Sequence, residues 1–257
     1  MKPNILLMNF THVYEQERFI RNQRFQWLDC TDLNGTDCYC DEEAALKLKQ
    51  RMEPFAPDGI HFIDSGNYHY VSKFWTDKIR EPFSLVVFDH HPDMQPSLFE
   101  EMLSCGSWVK AVIDTNPFLQ KVLIVGADER LIHAIPMSYS SWVKCYSEAS
   151  FSHEEAWRNF SREHVNEPVY ISVDKDVLNK KAAVTNWDQG KFSLAELKEL
   201  LAIIFRQEKV IGVDICGETT YSLDLFEEQH DLQIDSEANR ELLNWFLSQT
   251  TETSRII

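Results

Sequence analysis

The sequence contains no run of eighteen or more apolar residues, which excludes an ordinary transmembrane helix. It has no CxxC pair and no zinc-ribbon spacing, although six cysteines are present: Cys30, Cys38, Cys40, Cys105, Cys145 and Cys216. With no export signal in view, they read as reduced thiols of a cytosolic protein. The one cluster, Cys38-Tyr39-Cys40, reads as a loop. Internal repeats and low-complexity linkers are also missing. Positive charge is scarce. The net charge of −16 disfavours nucleic acid, whose phosphates call for lysine and arginine. It suits a cationic substrate or a site that collects divalent cations, and it also serves solubility. The opening MKPNILLMNFTHVYEQERF has no small-residue cleavage site and turns charged at once. It reads as a first strand rather than a leader. The expected location is cytoplasmic, with no membrane partner.

What is present is ordinary for a globular chain: 257 residues, 44% hydrophobic and 26% charged. That length suits one large α/β domain or two small ones, and the reading adopted is one domain over 1–257. Apolar strands are expected at Ile5–Phe10, Gly59–Ile63, Ser84–Phe88, Lys121–Gly126, Pro168–Val173 and Val210–Ile215. Helical periodicity marks Glu42–Met52, an interrupted stretch over Ser97–Ile113, His153–His164, Ser193–Arg206 and Asp235–Ser248. Ser193 with Glu196 three residues on forms a capping box. Repeated β-α-β order predicts a three-layer α/β/α fold with a mainly parallel central sheet. The continuously apolar VVF, VLIV and VYISV fit strands buried on both faces.

In open α/β sheets the ligand lies beyond the carboxyl ends of the strands, so the segments after each apolar run carry the information. GIHFI is followed by DSGNYH, SLVVF by DHHPD, VYISV by DKD and VIGV by DICGE. DHHPD offers Asp89, His91 and Asp93 at a spacing of two, which an extended chain projects to one face. DKD offers Asp174 and Asp176, with Lys175 pointing elsewhere, and His69 comes from the turn after its strand. Clustered like charges must be paired or neutralised. Four carboxylates and two imidazoles exceed what a single zinc needs. They suit two hard or borderline cations such as Mn²⁺, another divalent metal being an alternative. A metal pair is a standard hydrolytic device that lowers the pKa of a bridging water.

The order His69, Asp89-x-His91-x-Asp93, Ser172-x-Asp174-x-Asp176 resembles the arginase/agmatinase (ureohydrolase) superfamily, with its GGDH turn, DAHxD and SxDxDxxDP strand ends. The resemblance spans about residues 60–220. It implies a dinuclear manganese site bridged by Asp89 and Asp174, with His69 and Asp93 completing one metal and His91 and Asp176 the other. More closely, the chain looks like an arginase-like branch that includes peptide arginases. Several positions depart from the pattern. SGNYH replaces GGDH, which puts Tyr68 where the family has an acid. His90 replaces a small residue, and Asn179-Lys180 replace Asp-Pro. The acid that grips the guanidinium sits in a D-[IV]-x-E stretch, which here reads Asp214-Ile-Cys-Gly-Glu218, one residue longer. Where arginases carry a proton-shuttling His, this chain has Ser107 and Trp108. The departures argue against free L-arginine as substrate and leave the metal core intact.

The implied activity is hydrolysis of a guanidino C–N bond by a metal-bridging hydroxide. The substrate is a small guanidino compound or an arginine-containing peptide, giving urea and ornithine. Asp93 would hydrogen-bond the nucleophile and Glu218 would hold the guanidinium. In the Thr185–Gly190 loop, Asp188 could pair with a cationic substrate and Trp187 could offer a cation–π face. The acidic Asp29–Glu43 segment reads as a solvated loop, or as a rim if the substrate is a basic peptide. Two alternatives stay open: a metal-dependent amide hydrolase of the deacetylase kind, and a non-catalytic metal-stabilised binding protein.

Overall fold

A computed structural model describes residues 4–22, 24–97, 99, 102–220 and 225–253. Among them the strands are β1 Ile5–Asn9, β2 Gln26–Asp29, β3 Tyr39–Cys40, β4 Gly59–Phe62, β5 Phe83–Phe88, β6 Leu103–Ser104, β7 Leu119–Val125, β8 Val143–Tyr146, β9 Val169–Asp174 and β10 Val210–Cys216. The helices are α1 Val13–Gln16, α2 Glu42–Met52, α3 Val71–Thr76, α4 Trp108–Thr115, α5 Glu129–His133, α6 Glu154–Phe160, α7 Leu194–Gln207 and α8 Leu225–Thr253. None is long and apolar enough to cross a membrane.

Eight strands form one sheet in the order β2-β1-β4-β10-β9-β5-β7-β8, and every pairing in it is parallel. Alternate residues feed two separate cores. On β5, Val86 and Phe88 pack on the side of α7 and α8, where Leu197, Leu200, Leu242 and Phe246 lie. Phe83, Leu85 and Val87 pack on the side of α2, α3 and α4, against Leu48, Trp75 and Val109. The result is the expected three-layer fold. Burial on both faces explains why these strands read as unbroken apolar runs. Each fully buried aliphatic or aromatic side chain contributes about 1.5–3 kcal/mol.

The capping box is present at α7: Ser193 Oγ accepts from the Glu196 N–H at 3.2 Å, and the Ser193 N–H donates to Glu196 Oε2 at 2.8 Å. Such a cap is worth about 1 kcal/mol.

Three differences from the sequence reading have local causes. The Ser97–Ile113 stretch is helical only from Trp108. Leu103–Ser104 instead pairs antiparallel with Tyr39–Cys40, and Ser104 then caps a 3₁₀ turn over Cys105–Ser107. Residues 98, 100 and 101 of that stretch lie outside the described residues. The expected loop at Cys38–Cys40 thus contributes a short strand. The closing helix is also longer than Asp235–Ser248, because α8 runs from Leu225.

The four segments singled out above follow β4, β5, β9 and β10. These are far apart in sequence but contiguous in the sheet, as β4-β10-β9-β5. Their carboxyl ends share one patch at the middle of the sheet.

Candidate metal centre

His69 anchors the cluster. It follows a 3₁₀ turn, Gly66–Tyr68, beyond β4, and it is 1% exposed. Its Nε2 lies 2.8 Å from Ser172 Oγ, and the Ser172 hydroxyl donates to Asp214 Oδ1 at 2.5 Å. Because the single serine hydrogen goes to the aspartate, the proton of this pair sits on His69 Nε2. Nδ1 then faces the acids; burial disfavours charge on the ring, but Cys216, Asp89 and Asp93 hold it well above the ordinary histidine range, so its lone pair is freed where a cation replaces that proton. Nδ1 lies 3.2 Å from Asp89 Oδ2, 3.1 Å from Asp93 Oδ2 and 3.4 Å from Asp174 Oδ2. The arrangement fixes both the ring and its tautomer, as outer partners of metal-binding histidines do.

The second half centres on His91, whose Nδ1 lies 2.8 Å from Asp176 Oδ2 and 3.6 Å from Asp89 Oδ1. Asp89 therefore belongs to both halves: its donors group with His69 and Asp93 on one side and with His91 and Asp176 on the other. Asp174 groups with His69 and with Cys216.

The structure brings together all six residues expected from the strand ends, though not through extended chains. Asp93 has φ 51°, and Asp174 leads into a 3₁₀ turn over Lys175–Val177 in which its Oδ1 accepts from the Asp176 N–H at 2.9 Å. These turns fan the side chains across two positions rather than aiming them at one.

The electrostatics are those of acids short of counter-charge. Burial, then the charge of Asp176, pushes Asp174 up to about 7. Burial, then Asp89, pushes Asp176 up to about 6. Burial also raises Asp93, against the opposing pull of His69. Burial disfavours charge on His91, but its contacts with Asp176 and Asp89 prevail and lift it to about 12. Asp89 Oδ2 is buried and has no hydrogen-bond partner. A buried carboxylate oxygen without a hydrogen bond, an imidazole nitrogen turned to three acids and a mixed O/N donor set fit a pair of divalent cations.

Two glycines make room for Asp174. A Cβ on Gly66 would lie 3.1 Å from Asp174 Oδ2 and 2.8 Å from Trp187 Cδ1. Gly217 has φ +94°, and a Cβ there would lie 2.5 Å from Asp174 Oδ1. On the opposite side, Trp108 donates its indole N–H to Asp93 Oδ2 at 2.6 Å. The residue found in place of the expected shuttle histidine thus fixes a carboxylate.

The six donors line a cavity of about 270 Å³, together with Cys38, Tyr39, Gln95, Cys105 and Trp187. The Asp29–Glu43 segment thereby supplies part of the rim. Trp187 is 41% exposed, and its Nε1 donates to Asn67 Oδ1 at 2.9 Å. Asp188 is exposed and does not line this cavity. Neither does Glu218. It is fully buried, accepting from Lys175 Nζ at 2.7 Å and from Asn239 Nδ2 at 2.9 Å. The extra residue in Asp214–Glu218 is taken up at Gly217, so Cys216 faces the cluster and Glu218 lies beneath it.

Sequence reasoning assigned no site role to Ser172, Asp214, Cys216 or Trp108. Ser172 and Asp214 carried a signal in their motifs. Trp108 carried none, because a tryptophan in an apolar stretch reads as core.

Comparisons with known proteins bear on the fold and the family. An uncharacterized protein of Thermotoga maritima is 30% identical over 217 residues, covering 84% of this chain and 80% of that protein. The agmatine ureohydrolase of Thermoplasma volcanium has a similar fold, with a TM-score of 0.71 at 13% identity over 99% of this chain and 92% of that one. So does a triple mutant of an arginase-like protein of T. brucei bound with Mn²⁺, with a TM-score of 0.63 at 14% identity over 97% of this chain and 91% of that one. A model of the arginase family matches residues 7–221. With most of its length matched, including all four of the strand ends that build the cluster, the chain belongs to the arginase family.

Proposed function

We propose that this arginase-family hydrolase cleaves a guanidino C–N bond with the help of two divalent cations, Mn²⁺ first among them. Its preferred substrate is an arginine side chain within a peptide. The observation that carries the reading is Asp89, shared between two acid–imidazole groups and holding one buried oxygen that faces the His69 ring at 3.2 Å without a hydrogen bond. His69, Asp93 and Asp174 would hold one cation, and His91 and Asp176 the other, with Asp89 common to both. When bound, the pair supplies a water activated near neutral pH.

The protein's own part is to orient. The Ser172–Asp214 relay holds the His69 ring, and Trp108 occupies Asp93 Oδ2, which leaves Asp93 Oδ1 to hold the proton of the attacking water. The described lining carries no lysine or arginine, so once the acids hold the cations no fixed side-chain cation stands against a guanidinium. Trp187 at the mouth gives a guanidinium an aromatic face. Attack forms a C–O bond at the guanidinium carbon, the C–N bond to the side chain breaks, and the departing nitrogen takes a proton. The products are urea and an ornithine side chain. Glu218, committed to Lys175, acts from below by fixing the Asp174–Asp176 turn.

The test is urea release, with Mn²⁺ added, from arginine-containing peptides, free arginine and agmatine, with Asp93→Asn as the blank. Urea from the peptides in preference to free arginine is expected. No urea from any of them, with two metals bound, would sink the reading and leave amide hydrolysis or a binding role.

A further inference from the structure

Cys216 ends β10 directly beside Asp174, the last residue of β9, in the parallel register. Both side chains leave the same face of the sheet, and the Cys216 thiol donates to Asp174 Oδ2 at 3.1 Å. Gly217 follows at φ +94°, where a Cβ would lie 2.5 Å from Asp174 Oδ1, so this strand end passes close to the carboxylate. His69, Asp174 and Cys216 are all buried, and their donor atoms lie within 4.8 Å of one another. Asp89 Oδ2, buried and without a hydrogen bond, also lies 3.2 Å from His69 Nδ1, the atom that is itself 3.4 Å from Asp174 Oδ2. Oxygen, nitrogen and sulfur donors therefore converge on one point.

We propose that Cys216 Sγ is itself a ligand of the cation held by His69 and Asp174, so that one position of the metal pair carries a sulfur donor. The inference rests on the metal-pair reading and adds selectivity to it. On binding, the sulfur supplies an electron pair and its proton leaves to solvent. A thiolate is softer than the carboxylate and imidazole donors, so it shifts preference at this position from Mn²⁺ towards Zn²⁺ or Co²⁺. The longer Asp214–Glu218 segment provides the means, because the turn at Gly217 puts Cys216 at the cluster while Glu218 lies beneath it.

The experiment loads the chelator-stripped full chain with Co²⁺ and records its absorption spectrum. The expected result is a sulfur-to-cobalt charge-transfer band in the near ultraviolet. The band should be absent from Cys216→Ser and Cys216→Ala and retained in Cys105→Ser, which alters another thiol of the cavity. In Zn²⁺/Mn²⁺ competition, Cys216→Ser should lose about tenfold or more of the zinc preference. Cobalt retained by the wild type without the band overturns the assignment, and so does a band that survives in Cys216→Ser. Failure to retain any cobalt overturns the metal-pair reading itself, and this assignment with it.

Discussion

Lys175 donates its Nζ to Glu218 Oε2 at 2.7 Å, and both side chains are wholly buried. The lysine stands in the chain between Asp174 and Asp176 of the candidate metal centre, yet its charge is directed beneath the site. Asp235 Oδ1 of α8 lies 3.6 Å from the same nitrogen. Burial, then the pull of Lys175 and the repulsion of Glu218, leaves Asp235 at about 7. Glu17, close by, is pushed well above the carboxylate range by burial and by Glu218. Asn239 bridges Glu17 and Glu218, at 2.9 Å to each. This buried cluster ties the Asp174–Asp176 turn to α8.

Removing the lysine should therefore be costly. Lys175→Met leaves Glu218 and Asp235 buried without a counter-charge, and a loss of about 3–5 kcal/mol is expected. Urea unfolding measures it. The double variant Lys175→Met/Glu218→Gln should recover about 1 kcal/mol or more, through the coupling of paired groups. Simple additivity of the two changes would show that the pair does not act as a unit.

Trp108→Phe keeps an aromatic ring in the core but removes the N–H on Asp93 Oδ2. Loss of an outer hydrogen bond of this kind should weaken metal affinity by about 10–100-fold. Competition against a chromophoric chelator reads this directly. Unchanged affinity would mean that Trp108 serves packing alone.

Chelation should lower the melting temperature of the chain, and added Mn²⁺ should restore it. Asp89, Asp93 and Asp174 all lie within 3.4 Å of one histidine nitrogen and repel one another without a cation. A metal present at about a hundred times its Kd adds about 2.7 kcal/mol. A melting curve indifferent to both treatments would count against a metal site.

Glu163 provides a pH test away from the site. Burial alone would raise its pKa, but hydrogen bonds from Lys121, Lys144 and Tyr146 prevail and hold it at about 2, below its ordinary 4.5. A depressed carboxylate contributes stability that is present above about pH 4.5 and is lost as the pH falls towards 2. The lysines are partly exposed, so the contribution is about 1 kcal/mol after solvent screening. Glu163→Gln should flatten that part of the acid limb of stability against pH. An unchanged limb would place the acid sensitivity elsewhere.

The strands of the sheet's middle were legible because burial on both faces forces continuous apolar runs, as in FSLVVF and VYISVD. The edge strands Gln26–Asp29 and Val143–Tyr146 were not, because a half-exposed edge carries no such run. The clustered acids and imidazoles were legible as well. Asp89, His91, Asp93, Asp174 and Asp176 stand at strand ends where an uncompensated acid is costly, and His69 follows the same rule. What the sequence by itself determined was which acids and imidazoles stand at the strand ends, and which strands carry them.

Only the tertiary structure decided how that set divides. The parallel order β4-β10-β9-β5 puts distant segments side by side, and the turns at Asp93 and Lys175 fan their side chains across two positions. The register of β9 with β10 sets Cys216 against Asp174, and the turn at Gly217 lets Lys175 claim Glu218. These are contacts between residues some forty positions apart. No local propensity encodes them, because each depends on which strands pair and in what register.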